Sequence, residues 1–331
     1  MRSNRSVTEV LKQVSAEDLL KAASVVCEQW SRVCNSDEVW WALCETLYDY
    51  DKSLSPKAAY REGYLRPQRL LFIIYNKVKL IDVRDVAAGR FDSAITTLTL
   101  DTPVDNSNAY CFISENRVVC LGAGDSAGVL ELHLKALTVT HLPAMCDRRW
   151  YPGLLRHKTY LYVFGGRVTS CEKLDLRTRT WASISGHLQD PLEALMPAEH
   201  QDLVYLAGNL TVETFHLRTE AFSALPFSLP TNWWYTICLV HAEDLVVIQD
   251  KKIQRWHIGS AHREFRSSMN DWSSTAYYSN CPPVWFAGKF HSLHNEIPAV
   301  CGVFEFDPVQ NKLSEVMHWA SVFDGQQPTT K

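Results

Sequence analysis

Two clusters of residues carry binding chemistry in this chain: Arg148-Arg149-Trp150-Tyr151 and Trp233-Trp234-Tyr235. Tryptophan, tyrosine and arginine dominate the energetics of protein interfaces, because each joins a large contact surface to a polar tip. A guanidinium adds a planar fork of donors that fits a carboxylate or phosphate on a partner. The seven residues Arg148, Arg149, Trp150, Tyr151, Trp233, Trp234 and Tyr235 are therefore the candidate binding face. For any one of them the alternative is a core position, with the side chain turned inward.

Catalytic chemistry has no comparable signal. The chain contains no Gly-x-Ser-x-Gly elbow, no P-loop and no Gly-x-Gly-x-x-Gly ahead of a helix. Gly122-Ala-Gly-Asp-Ser-Ala-Gly128 is glycine-rich but reads as a strand connection. The pairs His257/His262 and His291/His294 lack the cysteines or carboxylates that would complete a metal set. The expectation is a protein without enzymatic activity, metal or cofactor. The ten cysteines form no Cys-x-x-Cys pair and lie mostly in apolar segments, where a free thiol packs as a small hydrophobe. The chain opening Met1-Arg-Ser-Asn-Arg-Ser6 is not followed by the apolar run of a signal peptide, which favours a cytoplasmic or nuclear location. A net charge of −4 and a pI near 6.3 supply no basic face for nucleic acid. No apolar run reaches about 18 residues, so no membrane span is expected.

Short strands must hold the binding residues in place. Tyr160-Leu-Tyr-Val-Phe-Gly-Gly166 is an apolar run ended by two glycines, and Cys171-Glu-Lys-Leu-Asp-Leu-Arg-Thr-Arg-Thr-Trp181 follows. With Asp175 as the mark, an Asp or His after an apolar residue recurs at Asp82, His133, His216, His257 and Asp307, in steps of 51, 42, 41, 41 and 50 residues. The slot of Trp181, six residues after the mark, holds Val139, Phe222 and Leu313 in other copies, each expected to present apolar surface to the next unit. The double-glycine slot becomes Gly122-Ala123, Ala207-Gly208, Gln249-Asp250 and His294-Asn295. Counting back from these slots places Arg148 to Tyr151 and Trp233 to Tyr235 at the mouths of first strands. His133, His216 and His257 share the mark, which predicts turn-closing hydrogen bonds rather than catalysis.

A period of about 40 to 50 residues, with four short strands in each, is the pattern of a propeller blade. The copy from Tyr151 to Trp181 resembles the kelch repeat. The resemblance implies a mainly β chain whose residues 69–319 form a kelch-like six-bladed β-propeller, or seven given the slack of the two long steps.

Residues 1–50 have a helical texture instead. Val7, Val10, Leu11 and Val14 fall at helical spacing, a second helix is predicted over Asp18–Trp30, and a third runs from a cap at Asn35 or Ser36 to Tyr48. Asp18-Leu-Leu20, Val26-Cys-x-x-Trp30 and Asp37-x-Val-Trp40-x-x-Leu-Cys44 resemble an F-box. That implies docking on a Skp1-like adaptor of a cullin ubiquitin ligase through Leu11, Leu19, Leu20, Val26, Trp30 and Trp40, with a substrate protein held by the propeller. A helical cap on a non-ligase scaffold is the alternative. Residues 51–68 read as a linker, with a short helix opening at Pro56 and ended by Gly63 and Pro67, and 320–331 as a polar tail.

Overall fold

The computed structural model describes Trp40 and residues 69–74, 77–100, 109–114, 116–122, 127–192, 196–233, 236–241, 243–249, 252–258, 263–268, 277–278, 284–286, 289–296, 300–307, 309 and 312–320. The chain divides into two compact units, Met1–Arg66 with Ile113–Glu115, and Pro67–Phe112 with Asn116–Lys331. In the first unit Trp40 is helical and buried. The other expected Skp1-facing residues, Leu11, Leu19, Leu20, Val26 and Trp30, lie outside the described residues, as do the linker and residues 321–331.

Among the described residues the second unit is mainly β, in six antiparallel sheets taken up in chain order. The first holds β1 (Arg69–Ile74), β2 (Lys77–Asp82) and β3 (Ile95–Thr99), with short helices α1 (Val83–Ala87) and α2 (Phe91–Ala94) between β2 and β3. The second is β4 (Ala109–Ser114), β5 (Arg117–Leu121), β6 (Val129–His133) and β7 (Thr138–Leu142). The third is β8 (Gly153–His157), β9 (Tyr160–Phe164), β10 (Cys171–Asp175) and β11 (Thr180–Ser183). The fourth is β12 (Ala198–His200), β13 (Leu203–His216) and β14 (Ala221–Trp233). The fifth is β15 (Ile237–His241), β16 (Asp244–Gln249), β17 (Lys252–His257) and β18 (Arg263–Ser268). The sixth is β19 (Tyr277–Tyr278), β20 (Val284–Phe286), β21 (Lys289–Glu296), β22 (Val300–Asp307) and β23 (Lys312–Ala320).

The register mark has a physical cause. Asp175 Oδ1 accepts the backbone N–H of Arg177 at 2.8 Å and of Thr178 at 3.3 Å, closing the turn into β11. His216 Nδ1 accepts from Arg218 at 3.2 Å and Thr219 at 3.3 Å, and His133 Nδ1 accepts from Ala136 at 3.2 Å. Asp and His both carry an acceptor one bond beyond Cγ, so either closes the turn. The next residue repeats as well: Leu134, Leu176, Leu217 and Ile258 each donate their N–H to the preceding hairpin, at Asn116, Thr159, Asp202 and Glu243. His257 departs from this pattern, with Nδ1 3.2 Å from Asp244 Oδ1.

Sheets are joined by burial. Leu161, Val163 and Phe164 of β9 and Leu174 of β10 have no exposed surface, and each such side chain contributes about 1.5–3 kcal/mol. Tyr162, Phe164 and Cys171 pack with Val204, Leu206 and Phe215 of the fourth sheet. Tyr205, Ala207 and Val212 of that sheet pack with Cys238, Val247 and Trp256 of the fifth, and Ile237, Val246 and Ile248 pack with Phe306 of the sixth. One cluster joins Leu70, Ile81 and Val83 to Val118, Cys120 and Leu132 of the second sheet and to Val303 of the sixth. The second and third sheets meet where Trp181 Nε1 donates to Pro143 O at 2.7 Å. Outer strands β7 and β11 are mostly exposed.

Among the described residues this is a β-propeller arrangement with five blades, the second to sixth sheets, built on the repeat. The first and fourth sheets depart from the four-strand expectation with three strands each and the sixth with five, and in the first two helices stand between β2 and β3. Two further expectations need correction. The Ala207-Gly208 slot falls inside β13, which carries register shifts at Asn209/Thr211 and Thr211/Glu213 instead of ending there, and the His294-Asn295 slot falls inside β21. The Trp181 slot packs backward, not forward: Trp181 reaches Pro143, Phe222 joins the cluster of Ile184 and Leu188, and Val139 joins the first sheet's cluster.

Candidate functional site

The segment 146–152 enters β8 across the end of β9, and glycine permits the crossing. Gly165 and Gly166 have φ of +62° and +86°, which side-chain-bearing residues rarely adopt. Trp150 N–H donates to Gly166 O at 3.0 Å, and Gly166 N–H donates to Leu192 O at 2.7 Å. A Cβ on Gly166 would lie 2.9 Å from Arg149 Cβ and 3.1 Å from Trp150 N. The double glycine therefore sets how closely the Arg149-Trp150 backbone can approach.

Arg149 and Trp150 are adjacent but face opposite ways. The Arg149 side chain is fully buried. Its Nη1 donates to Gly165 O at 2.7 Å and Ser170 O at 2.6 Å, and its Nη2 donates to Ser170 Oγ at 3.2 Å and Glu172 Oε1 at 2.8 Å. This corrects the expectation that Arg149 offers its fork to a partner, since both terminal nitrogens are engaged inside the sheet. Arg148 is exposed, while Trp150 and Tyr151 are half-buried, with ring centroids 5.7 Å apart in an edge-on pair. Arg167, which the sequence reading did not select, is exposed and holds its guanidinium carbon 4.8 Å from the centre of the Trp150 ring. The outward face of the third sheet is thus Arg148, Trp150, Tyr151 and Arg167.

The second predicted cluster is described only in part. Trp233 ends β14, and Trp234 and Tyr235 lie outside the described residues. Trp150-Tyr151 stands three and two residues before β8, and Trp234-Tyr235 three and two before β15. The repeat thus assigns the two pairs the same slot in two blades.

Beneath the face lies a buried polar position that the sequence reading also missed. Glu172 accepts the N–H of Cys146 at 2.8 Å and of Asp147 at 3.2 Å, holding the segment that leads to Trp150. Glu213 accepts the N–H of Gln189 at 3.1 Å on both oxygens, holding the corresponding segment of the fourth sheet. Glu172, Glu213 and Gln254 are all buried and all stand three residues before a mark. A Glu or Gln at one register in three strands is a legible signal once the marks are aligned. Burial raises the Glu213 carboxyl above the ordinary glutamate range, while hydrogen bonds from the Gln189 and Asp190 backbone oppose the shift.

His133 and His216 close turns. His291 is buried with Nε2 3.5 Å from Glu305 Oε2, and Gly122 N–H closes its loop on Gly128 O at 2.8 Å. Among the described residues no group of three or more His, Cys, Asp and Glu side chains is placed to hold a metal. No helix of the described residues is long and apolar enough to cross a membrane. The arrangement can do what a propeller rim does: present rigidly held aromatic and cationic side chains to another macromolecule. No family model and no curated protein matches the chain.

Proposed function

We propose that the protein is the substrate-recognition adaptor of a Skp1-cullin-F-box ubiquitin ligase. The observation that carries this reading is the pairing of an interaction propeller with the N-terminal series Asp18-Leu-Leu20, Val26-Cys-x-x-Trp30 and Asp37-x-Val-Trp40. In this reading Leu11, Leu19, Leu20, Val26 and Trp30 meet the Skp1-like adaptor, and Trp40, at 1 % exposure, supports that surface from within. The propeller presents Arg148, Trp150 and Tyr151, with Trp233, Trp234 and Tyr235, to a substrate protein in the cytoplasm or nucleus. The chain catalyses nothing and acts by holding its substrate near a ubiquitin-loaded enzyme. It needs neither metal nor cofactor. The first sheet is a sixth blade, a reading supported by the buried cluster it shares with the second sheet and Val303.

Capture of purified Skp1 and cullin by the full chain tests this. Wild type should bind, and Leu20→Asp combined with Trp30→Ala should not. Absence of wild-type capture, or undiminished capture by the double variant, overturns the reading.

The burial of Trp40 also favours a second reading, a scaffold propeller whose residues 1–50 form a helical cap with no ligase role. It predicts that these residues are protected in hydrogen exchange without any partner, and that Skp1 does not change the protection.

A further inference from the structure

We propose that the propeller carries a pH-sensitive end. The turns that follow His133 and His216 are closed by neutral imidazole and open when the ring takes up a proton, while the turn that follows Asp175 stays shut. This switch stands apart from the ligase reading and does not depend on it.

The chemistry of the mark carries it. His133 Nδ1 accepts Ala136 N–H at 3.2 Å, and His216 Nδ1 accepts Arg218 N–H at 3.2 Å and Thr219 N–H at 3.3 Å. A ring nitrogen accepts only while it carries no proton, so these bonds require the neutral ring with its proton on Nε2. Imidazolium has two donors and no acceptor, and its Nδ1–H would confront the backbone N–H groups. Asp175 Oδ1 closes the same turn on Arg177 and Thr178. A carboxyl group keeps an acceptor oxygen whether or not it binds a proton. Histidine is the side chain that changes charge between about pH 5 and 8. One slot of the repeat therefore has a responsive form in the second and fourth sheets and an unresponsive form in the third. His257 has the opposite sense. Its Nδ1 lies 3.2 Å from Asp244 Oδ1, so a proton there makes a charged pair instead of removing a bond.

The neighbouring charges set the size of the response. His133 stands opposite Arg117 of β5 and Thr138 of β7, with Lys135 in its own turn. Arg117 pairs with Glu131, which Arg179 of the third sheet approaches at 3.7 Å. His216 stands opposite Ala221 of β14, with Arg218 and Glu220 in its turn. Arg218 pairs with Asp202 at 2.5 Å, and Glu220 pairs with Lys173 of the third sheet. Lys135 adds like charge beside His133, whereas Arg218 and Glu220 oppose each other beside His216. Opening should therefore be greater at His133.

Position gives the switch its reach. Leu134 N–H donates to Asn116 O at 2.7 Å and Leu217 N–H to Asp202 O at 2.8 Å. Each responsive turn is thus bonded to the turn between the first and second strands of its sheet. In the third sheet that turn, at Thr159, follows β8, whereas Trp150 precedes β8. Mild acid loosens the end of the propeller away from Trp150 and leaves the Trp150 end in place.

Amide hydrogen exchange of the full chain at about pH 7.5 and about pH 5.5 tests this. Protection factors, corrected for intrinsic exchange at each pH, should fall about fivefold at Ala136, Arg218 and Thr219 relative to Arg177 and Thr178, the loss of one hydrogen bond. His133→Asp should hold protection constant at Ala136 while Arg218 and Thr219 still respond, and His216→Asp should do the reverse. Nitrogen NMR of the imidazole rings at the higher pH should show a bare Nδ1 in His133 and His216 and a protonated Nδ1 in His257. Equal protection at both pH values, an equal fall at Arg177 and Thr178, or an undiminished response in the aspartate variants overturns the proposal. A protonated Nδ1 in neutral His133 and His216 also overturns it.

Discussion

Arg149 Nη2 stands 2.8 Å from Glu172 Oε1, with both side chains sealed from solvent, and the same carboxylate accepts the backbone N–H groups of Cys146 and Asp147. This relationship turns a surface loop into a fixed platform. It links β10 to the segment entering β8, and that segment carries Arg148 and Trp150. A buried pair of this kind gives little net stability against an apolar substitute, but breaking it leaves an uncompensated charge. Arg149→Ala is therefore expected to destabilise the propeller by about 3–5 kcal/mol. The double variant Arg149→Ala with Glu172→Ala should lose less than the sum of the two single losses. Urea denaturation of the four proteins measures this; additive losses would show that the two groups do not act as a pair.

Gly166 and Gly89 separate backbone strain from crowding. Both have positive φ, +86° and +71°, yet a Cβ at Gly166 meets Arg149 Cβ at 2.9 Å, whereas at Gly89 it meets nothing within 4 Å. Gly89→Ala should cost about 1 kcal/mol, the left-handed penalty alone. Gly166→Ala should cost at least 1 kcal/mol more, because backbone and packing must both yield. Near-ultraviolet circular dichroism should also change for Gly166→Ala, since Trp150 is bonded to that residue. Equal costs at the two sites would refute the close-approach account.

Glu213 gives the fold a pH dependence with a defined sign. Burial raises its carboxyl in the folded state, so the native protein binds this proton more tightly than the unfolded chain does. The associated stability is fully present below the ordinary glutamate range and is lost as pH rises through the raised folded value. Glu213→Gln removes the titration while keeping an acceptor for Gln189 N–H. Its stability should fall less steeply than that of wild type just above the ordinary glutamate range, as read from thermal unfolding across a pH series. Parallel curves would exclude this role for Glu213.

The thiols should differ in reactivity by position. Cys146 is exposed, yet the charge of Glu172, with a hydrogen bond to it, raises its pKa. Cys171 is pushed up to about 11, chiefly by burial, and Cys238 is also raised by burial. Alkylation by iodoacetamide at neutral pH, followed by peptide mass spectrometry, should label Cys146 first among Cys111, Cys120, Cys146, Cys171 and Cys238. It should label Cys146 more slowly than a model peptide thiol. In Glu172→Gln the rate at Cys146 should rise; an unchanged rate would remove the electrostatic explanation.

The repeat was readable because its marks are local. An Asp or His that closes a turn, an apolar residue that bonds back to the preceding hairpin, and Gly165-Gly166 at a positive-φ bend each act within about 20 residues of chain, so spacing alone reveals them. The same spacing misjudged the first sheet, where α1 and α2 occupy the place of a turn, and it placed a strand end inside β13. Those outcomes depend on how neighbouring sheets fill space, and no single copy of the repeat records that.

The amino-acid sequence by itself determined that the chain is mainly β, that its units recur, and that Trp, Tyr and Arg gather at the mouths of first strands. Only the tertiary structure decided which of these residues look outward. Arg148, Arg149 and Trp150 are neighbours of like promise in the sequence, yet Arg149 is buried, because Glu172 and the carbonyls of Gly165 and Ser170 converge on it from β10 and the preceding loop. Arg167 joined the face although no motif marks it, because the crossing at Gly166 brings its loop beneath Trp150. Turn chemistry is written in adjacent residues. The partition of charge between core and surface is set by groups about 16 to 23 residues apart that meet only when the strands pair.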